Sequence, residues 1–224
     1  MRGYLLLAIL FALAAPAHAA APLLAESGKA EYVVKRSGNP IGTLKIDFRR
    51  DGQRLIATSD YSIKVKLLAI VLYRYDKRMV EIYEDGRLVA YETDIDDNGA
   101  KSQVRAKRNG DALSIVHPKG SVTAPLGLFP STYWPPATID QTRMIDSSDG
   151  VLINVKIVAT GTEQISVDGR TVSAKRYDMS GDAERELWYD SNTGAWLKMK
   201  LKGSDGSSIE IERDWPPVWK RDLL

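Results

Sequence analysis

Apolar and polar residues alternate along most of this chain, and short turns containing glycine separate the alternating segments. Alternation with a period of two is typical of β-strands that turn one face to a core and the other to water. The clearest apolar rows, all expected to face the core, are Leu44, Ile46 and Phe48; Tyr61, Ile63 and Val65; Val80 and Ile82; Ile165 and Val167; and Ile209 and Ile211. The pattern therefore predicts an all-β protein.

The turns are marked by Asp-Gly and Asn-Gly pairs, which tolerate the positive φ angles of tight hairpins. These pairs are Asp51-Gly52, Asp85-Gly86, Asn98-Gly99, Asn109-Gly110, Asp149-Gly150, Asp168-Gly169 and Asp205-Gly206. Residues 39–42 and 191–194 predict two more turns. Roughly ten to twelve strands joined to their sequence neighbours would form an antiparallel meander with little helix, either a curved half-barrel or a closed barrel.

Two segments interrupt this rhythm. Residues 67–75 are largely apolar, which predicts either a strand buried on both faces or a short helix across the mouth of the sheet. Residues 118–145 contain five prolines, which exclude a regular central strand. This second segment is interpreted as a long connection with one helical turn near residues 140–144, serving as a functional loop or as a crossover. It joins two β halves, at about 29–117 and 150–213.

The first nineteen residues are typical of a signal peptide. Arg2 is followed by an apolar run from Leu5 to Ala15 and by small residues at Ala17 and Ala19. We expect cleavage near Ala19 and Ala20, leaving a single β domain over residues 20–224. The apolar run is too short to cross a bilayer, and no later run is longer, so a soluble periplasmic or secreted protein without a transmembrane span is expected.

The composition excludes several kinds of functional site and partner. The chain has no cysteine, which excludes disulfides and thiolate sites. Its formal net charge is +2, without the clustered basic face that nucleic-acid binding requires. Neither a nucleic-acid partner nor a cofactor is expected.

Catalytic patterns are scarce, so no catalytic residue is predicted. His117 is the single histidine after the predicted cleavage site, and it precedes Pro118 at the end of a predicted strand. No nucleophile-elbow sequence accompanies it, and the carboxylates lie mainly at turns, where aspartate shapes the backbone. An enzyme is consequently the least favoured class.

One weak metal pattern is present. Asp94, Asp96 and Asn98 place oxygen ligands at alternate positions before Gly99, as in the first half of a calcium loop. The position that would bring the bidentate glutamate is Arg105. An acidic hairpin tip is the simpler interpretation, and calcium binding would need ligands from another loop.

The tryptophans give a second weak signal. Trp134 and Trp215 each precede two prolines, which hold the backbone extended while the large rings require burial or a ligand. These rings either plug the ends of the sheet or line an apolar pocket. The candidate ligand-binding residues are Trp134, Trp188, Trp196, Trp215 and Tyr73.

Several motifs together resemble a known family. They are Tyr83-Glu84-Asp85-Gly86-Arg87-Leu88, Thr93-Asp94-Ile95-Asp96-Asp97-Asn98-Gly99, Pro130-Ser131-Thr132-Tyr133-Trp134, Leu187-Trp188-Tyr189-Asp190 and Asp205-Gly206-Ser207. The chain is similar in these motifs to exported bacterial proteins known as domain of unknown function number 6134. In architecture alone it distantly resembles the half-barrels that carry lipoproteins across the periplasm. The resemblance implies the fold and no catalytic residues.

Three functions remain open. The first is a periplasmic binding or carrier-like protein that holds an apolar or lipid-like ligand. The second is an envelope adaptor that binds another protein through a sheet edge or its C-terminal Trp-Pro-Pro segment. The third is a hydrolase, which would need polar groups converging on a cleft.

Overall fold

The computed structural model describes residues 28–68 and 70–214. Fourteen strands account for most of this part of the chain. They are β1 Gly28–Arg36, β2 Asn39–Asp51, β3 Arg54–Leu67, β4 Ile70–Glu84, β5 Arg87–Asp97, β6 Ala100–Asn109, β7 Ala112–His117, β8 Gly120–Pro125, β9 Arg143–Ile145, β10 Leu152–Val167, β11 Arg170–Gly181, β12 Arg185–Asp190, β13 Trp196–Lys202 and β14 Ser208–Asp214. The predicted signal peptide and Trp215 lie outside the described residues.

The strands form one antiparallel sheet in the order β8 to β1, then β14 to β9. Every neighbouring pair is adjacent in sequence except β1 and β14, whose ladder joins two arms of the sheet. The predicted meander is confirmed. Because β8 and β9 are sheet edges joined by a connection and not by a ladder, the sheet is the open half-barrel and not the closed form. There are more strands than the ten to twelve expected.

The main core lies on the inner face of both arms. It includes the predicted row of Leu44, Ile46 and Phe48, together with Ile211 from β14. The connection between the arms packs onto this face through Tyr133 and other residues, and its backbone forms an isolated bridge from Pro130 to Ile145. The hydroxyl of Tyr189 donates to the carbonyl of Tyr133 at 2.8 Å, which fixes the connection against β12. Further connection residues in this core are Phe129, Trp134, Met144 and Ile145.

The face predicted for β4 is wrong. Val80 and Ile82 are partly exposed on the outer face, whereas Met79, Glu81 and Tyr83 are buried on the inner face. The inner row includes larger side chains than the outer one, and the Glu81 carboxylate has hydrogen-bond donors there. Glu81 can therefore be buried on the same face as Met79 and Tyr83, because its carboxylate is hydrogen-bonded there.

Both interpretations of residues 67–75 are also wrong. The segment is neither a helix nor a buried strand but the end of the β3–β4 hairpin, and Leu68 is 94% exposed. The two strands are longer here than their neighbours β2 and β5, so no other strand covers them.

Three boundaries differ from the predictions. The connection contains an edge strand, β8, whose final residue Pro125 needs no ladder donor. The helical turn is a 3-10 turn over Pro136–Asp140, started by the fixed φ of proline, while residues 143–145 form β9. The turn expected at residues 39–42 lies instead at Ser37 and Gly38, both with positive φ.

Candidate ligand-binding cavity

A cavity of about 380 Å³ lies inside the half-barrel, between the two arms and under the connection. β2, β3 and β4 supply one wall, and β13 and β14 supply the other. The apolar residues of these walls are Leu44, Ile46, Ile63, Met79, Trp196, Met199, Leu201, Ile209 and Ile211. Strand alternation brings most of them together on the inner face, and a register irregularity opposite Trp188 and Tyr189 places Trp196 on the same face as Met199.

Polar groups collect on another part of the same cavity. They are Lys77, Ser131, Asp146, Ser147, Ser148 and Arg185. Lys77 projects from the inner row of β4, and the others come from the connection and the start of β12. Two cationic side chains thus face one carboxylate, so this polar end of the cavity has a positive formal charge.

Lys77 is held by two hydroxyl groups. Its Nζ donates to Ser147 Oγ at 2.6 Å and to Ser148 Oγ at 3.3 Å. Ser147 is itself buried, and its backbone N–H donates to Ser131 Oγ at 3.0 Å. An ammonium has three donors, so one remains for a further acceptor after the two serines are counted.

The turn that carries these serines is rigidly built. Asp146 Oδ1 accepts from the backbone N–H groups of Ser148 at 2.8 Å and Asp149 at 3.3 Å. Gly150 ends the turn with φ of +75°, and a Cβ atom there would lie 2.7 Å from Val104 Cγ1. Glycine is therefore required both by the backbone angle and by the close approach of β6.

Burial lowers the pKa of Lys77 to about 8, against the opposing influence of Asp146 and Glu81. Removing an ammonium from water disfavours its charged form, and two neutral hydroxyls compensate only part of that loss. Lys77 is still mostly protonated at pH 7. An anion bound beside it would raise its pKa again, so anion binding and protonation of Lys77 are coupled.

Three tyrosines lie toward one end of the cavity, on β3 and β4. Tyr61 and Tyr75 pack edge to face with ring centroids 5.8 Å apart, and Tyr73 lies at the boundary with solvent. Burial raises the pKa of Tyr61 and of Tyr75, and burial together with Asp97 raises the pKa of Tyr73 to about 12. All three side chains are neutral phenols at physiological pH.

Glu81 lies on the same strand as Lys77 but belongs to a closed part of the core. Its Oε2 accepts from Trp134 Nε1 at 2.7 Å, and its Oε1 accepts from Tyr83 at 2.9 Å and from Thr132 at 3.0 Å. Its exposed fraction is 0%. Desolvation raises the pKa of Glu81, although the three donors oppose that change. Glu81 anchors the connection to β4.

The predicted ligand-binding residues lie in three different parts of the described structure. Trp196 and Tyr73 line the cavity. Trp134 lies in the closed core, 4.9 Å from the ring of Phe48 and 5.5 Å from that of Tyr83. Trp188 lies on the opposite face of the sheet in a separate small cluster with Val167, Ala174 and Leu197. Only two of the described candidates therefore share the cavity.

The calcium candidates lie on the outer face of the β5–β6 hairpin. Asp94 Oδ1 accepts from Gln103 Nε2 at 2.6 Å, and Asp96 Oδ1 accepts from the backbone N–H of Gly99 at 2.8 Å. Asn98 and Gly99 are the turn residues, and both have positive φ. Within the described residues, no group of three or more histidine, cysteine or carboxylate side chains is placed to hold a metal ion. Asp96 and Asn98 shape the hairpin turn, whereas Asp94 is paired across the ladder with Gln103.

Sequence reasoning missed the polar end of the cavity. Lys77 and Ser147 are 70 positions apart, and neither belongs to a recognised motif. The one available signal was the period of two from Tyr73 through Tyr75 to Lys77 and Met79, which places a lysine among inward-facing residues. That signal was hidden because Val80 and Ile82 were assigned to the core.

The family model described as "Domain of unknown function (DUF6134)" matches residues 32–214, which include all of the cavity walls. The chain belongs to this family. A solved structure described as a β-barrel-like protein of domain of unknown function DUF1849, from Brucella abortus, is similar in fold with a TM-score of 0.61. The match covers 86% of this chain and 98% of that one at 10% identity. No curated protein matches the chain.

These matches establish the DUF6134 family and a barrel-like fold. At 10% identity, the DUF1849 structure has the same architecture without indicating a shared site. No helix within residues 28–68 and 70–214 of this DUF6134 protein has the length and apolar character needed to cross a membrane.

Proposed function

We propose that this DUF6134 protein is a periplasmic or secreted binding protein that holds a lipid-like ligand with an anionic head. The observation that supports this most is the separation of apolar and cationic surfaces within one cavity. Such a cavity suits a molecule with an apolar chain and a charged end better than it suits a purely apolar or purely polar one.

The apolar walls would take the chain of the ligand. A volume of about 380 Å³ is within the range of small-molecule sites, which is roughly 300–1,000 Å³. Side chains from both arms contribute, so a bound chain would be enclosed between β2–β4 and β13–β14. Removal of its apolar surface from water would supply most of the binding free energy.

The polar end would take the head. The remaining donor of Lys77 and the guanidinium of Arg185 are the cationic groups available on the cavity wall. A carboxylate or phosphate there would form charge-assisted hydrogen bonds in a partly buried site, where they are stronger than on an open surface. Ser147 and Ser148 hold the lysine in place for this contact.

Displacement of 11-(dansylamino)undecanoic acid by palmitate tests the proposal on the full chain. The wild type should bind the probe saturably and release it to palmitate. Lys77→Met should weaken palmitate binding roughly tenfold or more, because a hydrogen bond to a charged group contributes about 1.5–3 kcal/mol. The same substitution should weaken the binding of palmityl alcohol much less, because this alcohol lacks the negative charge.

Lys45→Met is the matched control, since Lys45 lies on the outer face of β2 between two inward-facing residues. It should leave palmitate affinity unchanged. Failure of the wild type to bind the probe would contradict the proposal. Equal palmitate affinity in the wild type and in Lys77→Met would show that the carboxylate head does not bind at the Lys77 end of the cavity.

A second candidate is a serine hydrolase, favoured by the 2.6 Å contact between Lys77 Nζ and Ser147 Oγ. A lysine with a pKa of about 8 can act as the general base for a serine nucleophile. The arrangement is incomplete in one respect, because the backbone N–H groups of Ser148 and Asp149 already donate to Asp146. They are thereby withdrawn from the role of oxyanion donors.

A fluorophosphonate probe separates the two candidates. A hydrolase would be labelled at Ser147, and Ser147→Ala would abolish both labelling and cleavage of p-nitrophenyl esters. A binding protein would resist labelling, and Ser147→Ala would retain palmitate binding because Ser148 still supports Lys77.

A further inference from the structure

The end of the β3–β4 hairpin extends beyond the sheet. Pairing of β2 with β3 stops at Gly42 and Ile63, and pairing of β4 with β5 begins at Tyr75 and Asp97. Beyond these points only β3 and β4 pair with each other, from Lys64 opposite Arg74 to the turn. This two-stranded extension is about four residues long, or roughly 13 Å at 3.3 Å per residue.

The extension exposes apolar side chains to solvent, where polar side chains are expected. Of the large apolar residues that are exposed within the described chain, most belong to it: Leu68 at 94%, Ile70 at 66%, Leu72 at 56%, Val71 at 49% and Tyr73 at 36%. The others, Val116 and Val158, lie singly on other strands. Contiguous exposed apolar surface of this kind marks an interaction site.

Turn chemistry does not account for these residues. Most other hairpins in the sheet turn through Asp-Gly or Asn-Gly pairs, whereas this one has Leu68 at a φ of +55°. A leucine adopts the left-handed region less readily than asparagine or glycine. A β-bulge between Val65 and Lys66 on β3 then leaves Leu72 as the extra residue of β4.

Cationic side chains lie beside and below the apolar residues of this end, Lys66 opposite Val71 and Lys64 nearer the sheet. Lys64 and Lys66 are exposed on β3, and Arg74 lies opposite Lys64 on β4. Arg74 pairs with Asp76, while no carboxylate of the described residues forms an ion pair with Lys64 or Lys66. Asp76, Asp96 and Asp97 are the carboxylates nearest this region along β4 and β5, and they lie farther from the tip than the lysines.

We propose that this hairpin end docks the protein on an anionic lipid bilayer. Its apolar residues would enter the boundary between headgroups and acyl chains, while Lys64 and Lys66 would lie at the level of the anionic headgroups. Lys64 lies below the apolar residues, and Lys66, opposite Val71, has a side chain long enough to extend back to the headgroup level. The inference is independent of the proposed ligand, although Tyr73 places the docked end beside the cavity.

Flotation of the full chain with lipid vesicles tests the docking. Vesicles of phosphatidylethanolamine with about a quarter phosphatidylglycerol should carry the wild type upward, and vesicles of phosphatidylcholine alone should carry much less. Leu68→Asp with Leu72→Asp should reduce the bound fraction at least fivefold. Lys64→Gln with Lys66→Gln should reduce it on anionic vesicles and make the remainder much less sensitive to salt.

Two controls isolate the hairpin. Val116→Asp introduces a charge at another exposed valine and should leave flotation unchanged. Lys77→Met removes one of the two cationic side chains of the cavity and should also leave flotation unchanged, which separates docking from ligand binding. Far-ultraviolet circular dichroism confirms that each variant keeps its β structure.

Three results would overturn the proposal. One is a wild type that remains with the soluble fraction in the presence of anionic vesicles. Another is equal flotation of the wild type and the double aspartate variant. The third is self-association in sedimentation velocity that the double aspartate variant abolishes, since the hairpin end would then cover a second copy of the chain.

Discussion

Glu81 and Lys77 lie four residues apart on the inner face of β4, yet their surroundings differ. Glu81 has three donors at 3.0 Å or less and does not line the cavity. Lys77 has two hydroxyl partners and borders a cavity. The charge of Glu81 is used within the fold, whereas Lys77 keeps one donor that a ligand can use.

The largest expected effect is on the Glu81 side. Glu81→Ala leaves the N–H of Trp134 and two hydroxyls without their acceptor and opens a cavity, so it should lower the free energy of unfolding by about 3–5 kcal/mol. Glu81→Gln should cost about 1 kcal/mol or less, because its oxygen can face Trp134 while its amide donates to the hydroxyls. Urea denaturation measures both, and equal losses would show that the carboxylate network is not what stabilises this region.

A smaller effect is expected when two of the buried tryptophans, Trp134 and Trp188, are compared. Trp134→Phe removes the donor to a fully buried carboxylate and should cost about 1–3 kcal/mol of unfolding free energy. Trp188→Phe is the matched change on the opposite face, where the indole donates to the exposed Glu163, and it should cost about 1 kcal/mol or less. If Trp188→Phe proved the costlier of the two, the small outer cluster would matter more for stability than the Glu81 network.

The smallest effect concerns Lys77 and pH. The folded pKa of about 8 lies below the ordinary lysine value of 10.5, so the unfolded chain binds more protons between these values. The free energy of unfolding should therefore gain about 1 kcal/mol from Lys77 as pH rises from about 7.5 to 9, largely before tyrosines begin to titrate. Lys77→Met should remove this gain when compared with Lys45→Met. An unchanged pH profile would mean that Lys77 is hydrated like a surface lysine.

The sequence predicted the turns and the sheet because their signals are local. An Asp-Gly pair such as Asp168-Gly169 needs only its own backbone to specify a hairpin. The inner face of β4 was not predictable in the same way, since burial of Glu81 depends on Trp134 and Thr132, which are more than fifty positions away. The Lys77 end of the cavity depends on Ser147 across 70 positions.

Residues 67–75 were misjudged for another reason. A long apolar run usually indicates burial, and the prediction assumed that the protein itself would cover it. The structure gives β3 and β4 more length than β2 and β5, so nothing in the sheet reaches Ile70 or Leu72. Relative strand length follows from the pairing of the whole sheet and has no local signature.

The ladder between β1 and β14 has a consequence for how the chain folds. It pairs Glu31 with Asp214 and Arg36 with Ile209, so it cannot form until almost the entire described chain has been synthesised. Until then the backbone edge of β1 has no partner, and an unpaired edge can recruit strands from other molecules. Refolding should be limited by this late closure, and chains that end before β14 should aggregate although most of their hairpins are complete.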